Sequence, residues 1–186
     1  MSTPHILLLP GWQNSGPAHW QSRWEVLYGY ERVDQHDWMR PLRGDWMAQL
    51  EEAVLAAPAP VVLVAHSLGC LLCAAWAAHS QNAHRVQAAL LVAPGDPERE
   101  ELGAVLKSWS PLPLQRLPFK SVLLASHNDP YCSFERAQMF AAAWGADLVD
   151  YGHSGHINAD SGLGDWSEGH ALLREAIEST KEKTSW

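Results

Sequence analysis

The chain has 186 residues and is 47% hydrophobic, which is enough for one domain with a core of its own. The formal net charge is −8 and lysine and arginine form no cluster, which argues against nucleic acid as a partner. No apolar stretch approaches the roughly 20 residues that a membrane-spanning helix needs, so no membrane association is expected.

Short apolar runs alternate along the chain with longer helical patterns. The runs predict six strands, at residues 5–9, 30–33, 60–65, 86–93, 120–125 and 146–151. Helices are predicted at residues 17–28, 45–57 (with Asp45 as its cap), 68–80, 97–109, 133–144 and 166–180. The alternation predicts one α/β domain over residues 1–186, a three-layer α/β/α sandwich around a mostly parallel sheet of about six strands.

The first loop after a predicted strand reads PGWQNSG. Gly11 allows the backbone to turn close to a bound ligand, and the amide of Trp12, or failing that of Gln13, could donate to an oxyanion. An ordinary polar turn explains the loop equally well. A phosphate-binding loop is excluded, because Pro17 and Ala18 stand where lysine and serine or threonine should follow.

Ser67 lies where the third strand gives way to a helix, within the sequence VVLVAHSLGCLL. The pentapeptide AHSLG is a variant of G-x-S-x-G, in which the small residues on either side permit a sharp strand-to-helix turn. Such a turn exposes the hydroxyl and directs the helix N-terminus at it, so that the Leu68 amide can stabilise an oxyanion. The alternative is that Ser67 only caps the helix.

A serine nucleophile needs a base that is itself oriented by a third group, and acidic residues occur in two suitable loops. The loop SHNDPYC after the fifth strand carries Asp129, whose alternative role is to cap the next helix. Asp96, in APGDPE after the fourth strand, is a rival acid. The residues alone leave this choice open.

The candidate base lies in the loop GHSGHIN after the sixth strand, which carries His153 and His156. Either histidine could reach Ser67 if the sheet brings the loops together. His66 is expected to point elsewhere, because neighbouring side chains diverge at the turn. Nucleophile, acid and base thus occur in the order Ser, Asp, His, each in a loop that follows a strand.

Four segments, LLPGW, AHSLGC, SHNDPYCSFERA and GHINADSGLGDWSEG, resemble motifs of the small serine hydrolases that include retinoblastoma-binding protein 9 and bacterial YdeN. The resemblance covers nearly the whole chain. It implies a compact α/β-hydrolase fold without a large cap domain. Carried over by position, it implies Ser67 as nucleophile, Asp129 as acid and His156 as base.

These observations predict hydrolysis of a small carboxylic ester or amide through an acyl-enzyme. Trp12, Gln13 and Trp166 are expected to border the substrate, although most tryptophans fill core positions. A non-catalytic protein-interaction module on the same fold is the alternative, and the intact Ser, Asp and His argue against it. A metal-dependent hydrolase using His153 and His156 lacks an H-E-x-x-H motif, so we expect no metal and no other cofactor.

The expected location is the cytoplasm. The amino-terminal sequence MSTPHILLLPG lacks the basic region of a signal peptide, and its apolar run is short. The 3 cysteines fit a reducing compartment better than a disulfide framework. A small-molecule substrate is expected, and no protein partner is indicated.

Overall fold

The structure, a computed structural model, describes residues 3–181. Its sheet consists of β1 (His5–Leu9), β2 (Glu31–Arg32), β3 (Val61–His66), β4 (Val86–Val92), β5 (Lys120–Ala125) and β6 (Asp147–Asp150). The strands lie in the order β2-β1-β3-β4-β5-β6, and every neighbouring pair is parallel. The predicted α/β class with about six parallel strands is confirmed.

Helices cover both faces of this sheet. They are α1 (Trp20–Tyr28), α2 (Arg43–Ala56), α3 (Leu68–His79), α4 (Gly103–Leu106), α5 (Phe134–Trp144) and α6 (Ser167–Lys181). Buried residues of α1 and α6 share one core cluster, and those of α2, α3 and α5 share the other. The predicted three layers are therefore present. Within residues 3–181, no connection forms a large cap domain.

The third strand shows why the sequence has an unbroken apolar run. All six residues of β3 are buried. Val62 and Val64 belong to the cluster beneath α1 and α6, whereas Val61 and Leu63 belong to the opposite one. Because successive side chains of a strand point to opposite faces, a strand covered on both sides favours apolar residues, and only the last residue of β3, the buried His66, is polar.

The predicted helix at 97–109 is wrong over most of its length. Only Gly103–Leu106 forms an α-helix, followed by a 3-10 turn at Lys107–Trp109. Before it, the Asp96 carboxylate accepts the amide N–H of Glu98 at 3.1 Å. The amides of Arg99 and Leu102 donate to carbonyls three residues earlier, at 3.3 and 3.1 Å, so this segment forms separate turns in place of α-helix.

The predicted cap at Asp45 is also wrong, because α2 begins two residues earlier than expected. Its N-cap is Leu42, which makes no side-chain capping bond. The amide of Arg43 instead donates to the hydroxyl of Ser108 at 3.2 Å. A residue distant in sequence thus provides the acceptor for the first N–H group of α2. Asp45 lies in the first turn, where its charge favours the positive end of the helix dipole.

The strand order creates a switch point between β1 and β3. The chain leaves β1 for the outer strand β2 and returns to β3 on the other side of β1. In open parallel sheets, ligands bind in the crevice at such a point, outside the carboxyl ends of the strands. The loops after β1, β3, β5 and β6 all emerge at this edge.

No helix within residues 3–181 is long and apolar enough to cross a membrane. The arrangement of the whole chain, 1–186, as one domain stays a prediction, since residues 1, 2 and 182–186 lie outside the described part.

Candidate active site

Ser67 occupies a strained turn between β3 and α3. Its φ is 55° and its ψ −119°, a conformation that residues other than glycine rarely adopt. The surroundings hold it there, since the Ser67 amide donates to the carbonyl of Val92 on β4 at 3.0 Å. The Ser67 hydroxyl makes no capping bond to α3, so capping does not explain this serine.

Two glycines make the turn sterically possible. A Cβ on Gly69 would lie 2.1 Å from the carbonyl oxygen of Leu9, and one on Gly11 would lie 2.9 Å from the Cβ of Ser67. Ala65, the other small residue of the pentapeptide, is completely buried. The first loop therefore packs directly against the serine turn, and this packing accounts for the small residues in AHSLG.

Replacing Gly69 with alanine should destabilise the fold strongly. The new methyl group would collide with main-chain atoms of β1, which cannot rotate away, so we expect a loss of at least about 3 kcal/mol in the free energy of unfolding. Urea denaturation measures this loss. Gly44→Ala is the matched control, because a Cβ there meets nothing within 4 Å and should leave stability unchanged or slightly raised. Equal stability of the two variants would contradict the packing argument.

The structure brings together Ser67, His156 and Asp129, the three residues predicted as nucleophile, base and acid. Nε2 of His156 lies 2.9 Å from the Ser67 hydroxyl oxygen, and its Nδ1 lies 2.8 and 3.0 Å from the two carboxylate oxygens of Asp129. The side chains of His156 and Asp129 are 8% and 3% exposed. A continuous hydrogen-bonded path thus runs from the hydroxyl to a buried carboxylate.

Asp129 is held in place by its own loop. Its carboxylate also accepts the amide N–H of Tyr131 at 2.8 Å. The alternative role, a cap for α5, belongs instead to Ser133, whose hydroxyl accepts the amide of Arg136 at 3.1 Å.

The rival residues lie elsewhere. The Asp96 carboxylate forms an ion pair with Arg136, with Nε and Oδ2 3.2 Å apart. His153 is exposed, and its ring lies 5.6 Å from that of His127. In the described part of the chain, neither residue bonds to Ser67 or His156.

The geometry distinguishes between the two candidate amides of the first loop. The Gln13 amide donates to the carbonyl of Trp38 at 3.1 Å and is therefore occupied. The Trp12 amide has no backbone acceptor among residues 3–181. A Cβ on Gly11 would lie 3.2 Å from the Leu68 nitrogen, so the loop brings the Trp12 peptide beside the start of α3. Trp12 and Leu68, the predicted donor pair, line the same cavity as Ser67.

A cavity of about 260 Å³ opens above Ser67. Leu68, Leu102 and Leu106 form an apolar wall, and the latter two lie just before and at the end of α4. Trp12 and Gln13, which are predicted to border the substrate, also line the cavity. Leu102 and Leu106 were not predicted from the sequence, because nothing in their segment indicated that it would face the serine.

Trp166 does not line this cavity, so the prediction that it borders the substrate is wrong. Its indole is buried, stacks 5.7 Å from Trp24, and donates its N–H to the hydroxyl of Tyr151 at 2.7 Å. A Cβ on Gly169 would lie 2.3 Å from the Trp166 ring, which shows how closely α6 covers it. A large apolar ring with a satisfied N–H gains more from this core site than from a wet cleft.

Two buried histidines form part of the cavity lining: His19, to which the sequence gave no role, and His66, for which the expectation that it points elsewhere is wrong. Nδ1 of His19 accepts the amide N–H of Gln21 at 3.1 Å and caps α1. Burial, together with the charges of His156 and Arg32, lowers the pKa of His19 to about 3. Burial also lowers the pKa of His66 well below its ordinary value. Both rings are therefore neutral near pH 7.

No group of three or more His, Cys, Asp or Glu side chains within residues 3–181 is arranged to hold a metal ion.

Comparisons with known proteins agree with this architecture. A family model described as serine hydrolase matches residues 6–175. A YdeN-like hydrolase from Pectobacterium atrosepticum is 34% identical, with a TM-score of 0.85 over 96% of this chain and 92% of that chain. The ydeN gene product of B. subtilis is 18% identical, with a TM-score of 0.75 over 95% of this chain and 100% of that chain.

A more distant structure shares the fold alone. An esterase from Rhodococcus sp. ECU1013 is 14% identical, with a TM-score of 0.68 over 96% of this chain and 91% of that chain. No curated protein sequence matches the chain significantly. The family match spans most of the chain, and the YdeN-like hydrolase is similar over nearly its full length. The chain therefore belongs to the serine hydrolase family, as a small α/β-hydrolase enzyme of the YdeN type.

Proposed function

We propose that the enzyme cleaves small carboxylic esters or amides through an acyl-enzyme formed on Ser67. The observation that carries this proposal is the hydrogen-bonded path from the Ser67 hydroxyl through His156 to Asp129. His156 removes the hydroxyl proton as Ser67 attacks the carbonyl carbon. Asp129 accepts the Nδ1–H bond, which fixes the imidazole tautomer and stabilises the imidazolium.

The amides of Leu68 and Trp12 stabilise the negative charge on the substrate oxygen in the tetrahedral intermediate. One such donor contributes about 3 kcal/mol to transition-state stabilisation in serine hydrolases. The imidazolium of His156 then gives its proton to the leaving alcohol or amine, and the acyl group stays on Ser67. Water, activated by the same histidine, releases the acid in the second half-reaction.

The two sides of the site suit different parts of a substrate. The apolar wall of Leu68, Leu102 and Leu106 suits a short acyl chain, because the cavity holds only about 260 Å³. The leaving group must face His156, which protonates it. On that side a more open, polar groove of about 520 Å³ shares His156 with the first cavity and is lined by Asp160 among other residues. We therefore propose substrates with a short acyl chain and a polar leaving group.

Steady-state and pre-steady-state assays with chromogenic esters, thioesters and amides test the proposed function. We expect turnover of short-chain esters, with an initial burst of released alcohol if deacylation is slower than acylation. Absence of hydrolysis across all three panels would contradict the proposal. Insensitivity to chelators is also expected, because no step uses a metal.

Leu106→Ala should shift the acyl-chain preference towards longer chains. Leu106 is 4% exposed and part of the acyl wall, so its truncation lengthens the pocket. We expect kcat/KM for hexanoate relative to acetate to rise about tenfold, the effect of one or two methylene groups in an apolar pocket. Leu55→Ala, an exposed change on α2, is the control. An unchanged preference in Leu106→Ala would exclude this wall as the selector, and Trp12→Ala tests the other lining candidate in the same way.

We also propose that the enzyme acts in the cytoplasm on small molecules. The cysteines Cys70, Cys73 and Cys132 are all free and buried, as expected in a reducing compartment. The formal charge of −8 disfavours nucleic acid as a partner.

A further inference from the structure

The main chain around His156 is strained. Ile157, the next residue, has a φ of 48° and is completely buried. A β-branched residue with positive φ is a genuine outlier, which persists only where surrounding contacts impose it. Contacts that impose this conformation therefore also determine where the His156 ring lies.

Two buried rings bind the carbonyl groups of these two residues. Nε2–H of His66 donates to the carbonyl oxygen of His156 at 2.9 Å, and the indole N–H of Trp20 donates to the carbonyl oxygen of Ile157 at 2.9 Å. His66 is 4% exposed and Trp20 is 1% exposed. Both donors are shielded from water, so loss of either would leave a buried carbonyl oxygen without its partner.

The bond from His66 has a further consequence, because His66 directly precedes Ser67 in the chain. The residue that carries the nucleophile is itself in a strained conformation, fixed by β3 and α3. The hydrogen bond from His66 to the main chain of His156 therefore links the base to the nucleophile. This link is separate from the bond between the imidazole of His156 and the Ser67 hydroxyl. Since His66 stays neutral, it provides this tie without placing a charge beside the imidazolium of His156.

The residues just before His156 are hydrogen-bonded to the loop that carries Asp129. The hydroxyl of Ser126 accepts the amide N–H of Ser154 at 2.8 Å, and the side-chain oxygen of Asn128 accepts that of Gly155 at 2.8 Å. Ser126 and Asn128 belong to the loop that carries Asp129. Two hydrogen bonds from the loop of Asp129 thus hold the residues that precede His156. Two more, from His66 and Trp20, hold the carbonyl groups of His156 and Ile157.

We infer that His66 and Trp20 are positioning residues of the hydrolase, which hold the strained His156–Ile157 main chain so that the imidazole bridges Ser67 and Asp129. The inference rests on the proposed function, in which His156 is the base. Trp20 does not line the cavity, and His66, which does, acts here through its bond to the carbonyl of His156. Their contribution lies in the rate of acyl transfer and not in substrate binding.

The first test compares His66→Leu with His66→Gln. Leucine removes the donor at similar volume, whereas the glutamine amide can reach the same carbonyl oxygen. We expect His66→Leu to lower kcat roughly 10- to 100-fold with KM nearly unchanged, the effect of a small displacement of a catalytic group. The rate of fluorophosphonate labelling of Ser67 should fall by the same factor. His66→Gln should restore most of both rates.

The second test uses two neighbouring tryptophans as a matched pair. Trp20 and Trp24 are both buried on α1, and the indole of Trp24 also donates to a backbone carbonyl, that of Asp165, at 2.8 Å. Both Trp→Phe changes remove a buried N–H donor and leave a void, so both should lower the melting temperature. Only Trp20→Phe should also lower kcat, by about tenfold, because Trp20 binds the residue next to His156, whereas Asp165 lies nine residues beyond His156 on the same connection.

The outcomes separate this inference from the proposed function. Equal kcat in Trp20→Phe and Trp24→Phe, or wild-type kcat in His66→Leu, overturns the inference. Normal labelling of Ser67 in the wild-type protein supports the proposed function in either case. Failure of the glutamine variant to recover activity, with its fold intact by circular dichroism, also counts against it. A wild-type protein that does not label at Ser67 overturns both. The Trp pair decides the question even if His66→Leu does not fold.

Discussion

Replacing Ser67 with alanine is expected to lower kcat for a short-chain ester by at least about 10⁴-fold, because the attacking oxygen is lost. A small residual rate over the uncatalysed reaction should persist, since the Leu68 and Trp12 amides still bind the substrate oxygen. The fold should survive, because the Ser67 hydroxyl makes no capping bond to α3. Stopped-flow or plate assays measure the rate, and thermal denaturation measures the fold.

A second serine on the same helix provides the control. Ser80 follows the last turn of α3, and its hydroxyl donates to Glu51 at 2.7 Å. Ser80→Ala should therefore lower stability without changing kcat. A Ser67→Ala protein that keeps the wild-type rate would exclude Ser67 as the nucleophile.

Asp129→Asn should lower kcat by about 10⁴-fold, whereas Asp96→Asn should change it by less than about threefold. An asparagine at position 129 can direct an N–H at Nδ1 of His156, which favours the tautomer whose Nε2 is protonated and cannot accept the Ser67 proton. Asp96 is paired with Arg136 and does not bond to His156 in the described residues.

Steady-state kinetics of the two variants, made in parallel, decide between the two acids that the sequence presents. KM should stay close to the wild-type value in both, because neither carboxylate is expected to contact the substrate. The opposite order, with Asp96→Asn inactive and Asp129→Asn active, would require a different acid and a rearranged site.

The fold could be predicted well from the sequence because its strands carry a strong signal. A strand such as Val61–His66, buried on both faces, is apolar up to its last residue, and each such run ends in a polar loop. Ser67, Asp129 and His156 stand in loops of this kind, so their meeting at one edge followed from the parallel topology. The choice of His156 over His153 came from the resemblance, and the structure shows His156 beside Ser67.

The rest depended on contacts between distant parts of the chain. His66 binds a carbonyl 90 residues away and Trp20 binds one 137 residues away, and no local pattern indicates either bond. Trp166 was predicted to border the substrate but lies in the core, because the sequence cannot distinguish an indole that lines a cleft from one that is buried. The helix at 97–109 was mispredicted because its first part forms separate turns, with the Arg99 amide donating to the Asp96 carbonyl, and α-helix begins only at Gly103.

Peptide mapping by mass spectrometry after fluorophosphonate labelling tests the central claim most directly. The reagent forms a stable phosphonate ester with a serine activated by a neighbouring base. We expect one adduct per chain in the wild type, on Ser67, and none in Ser67→Ala. An adduct on a different residue, or equal labelling of the two proteins, would contradict the assignment of Ser67 as the nucleophile activated by His156.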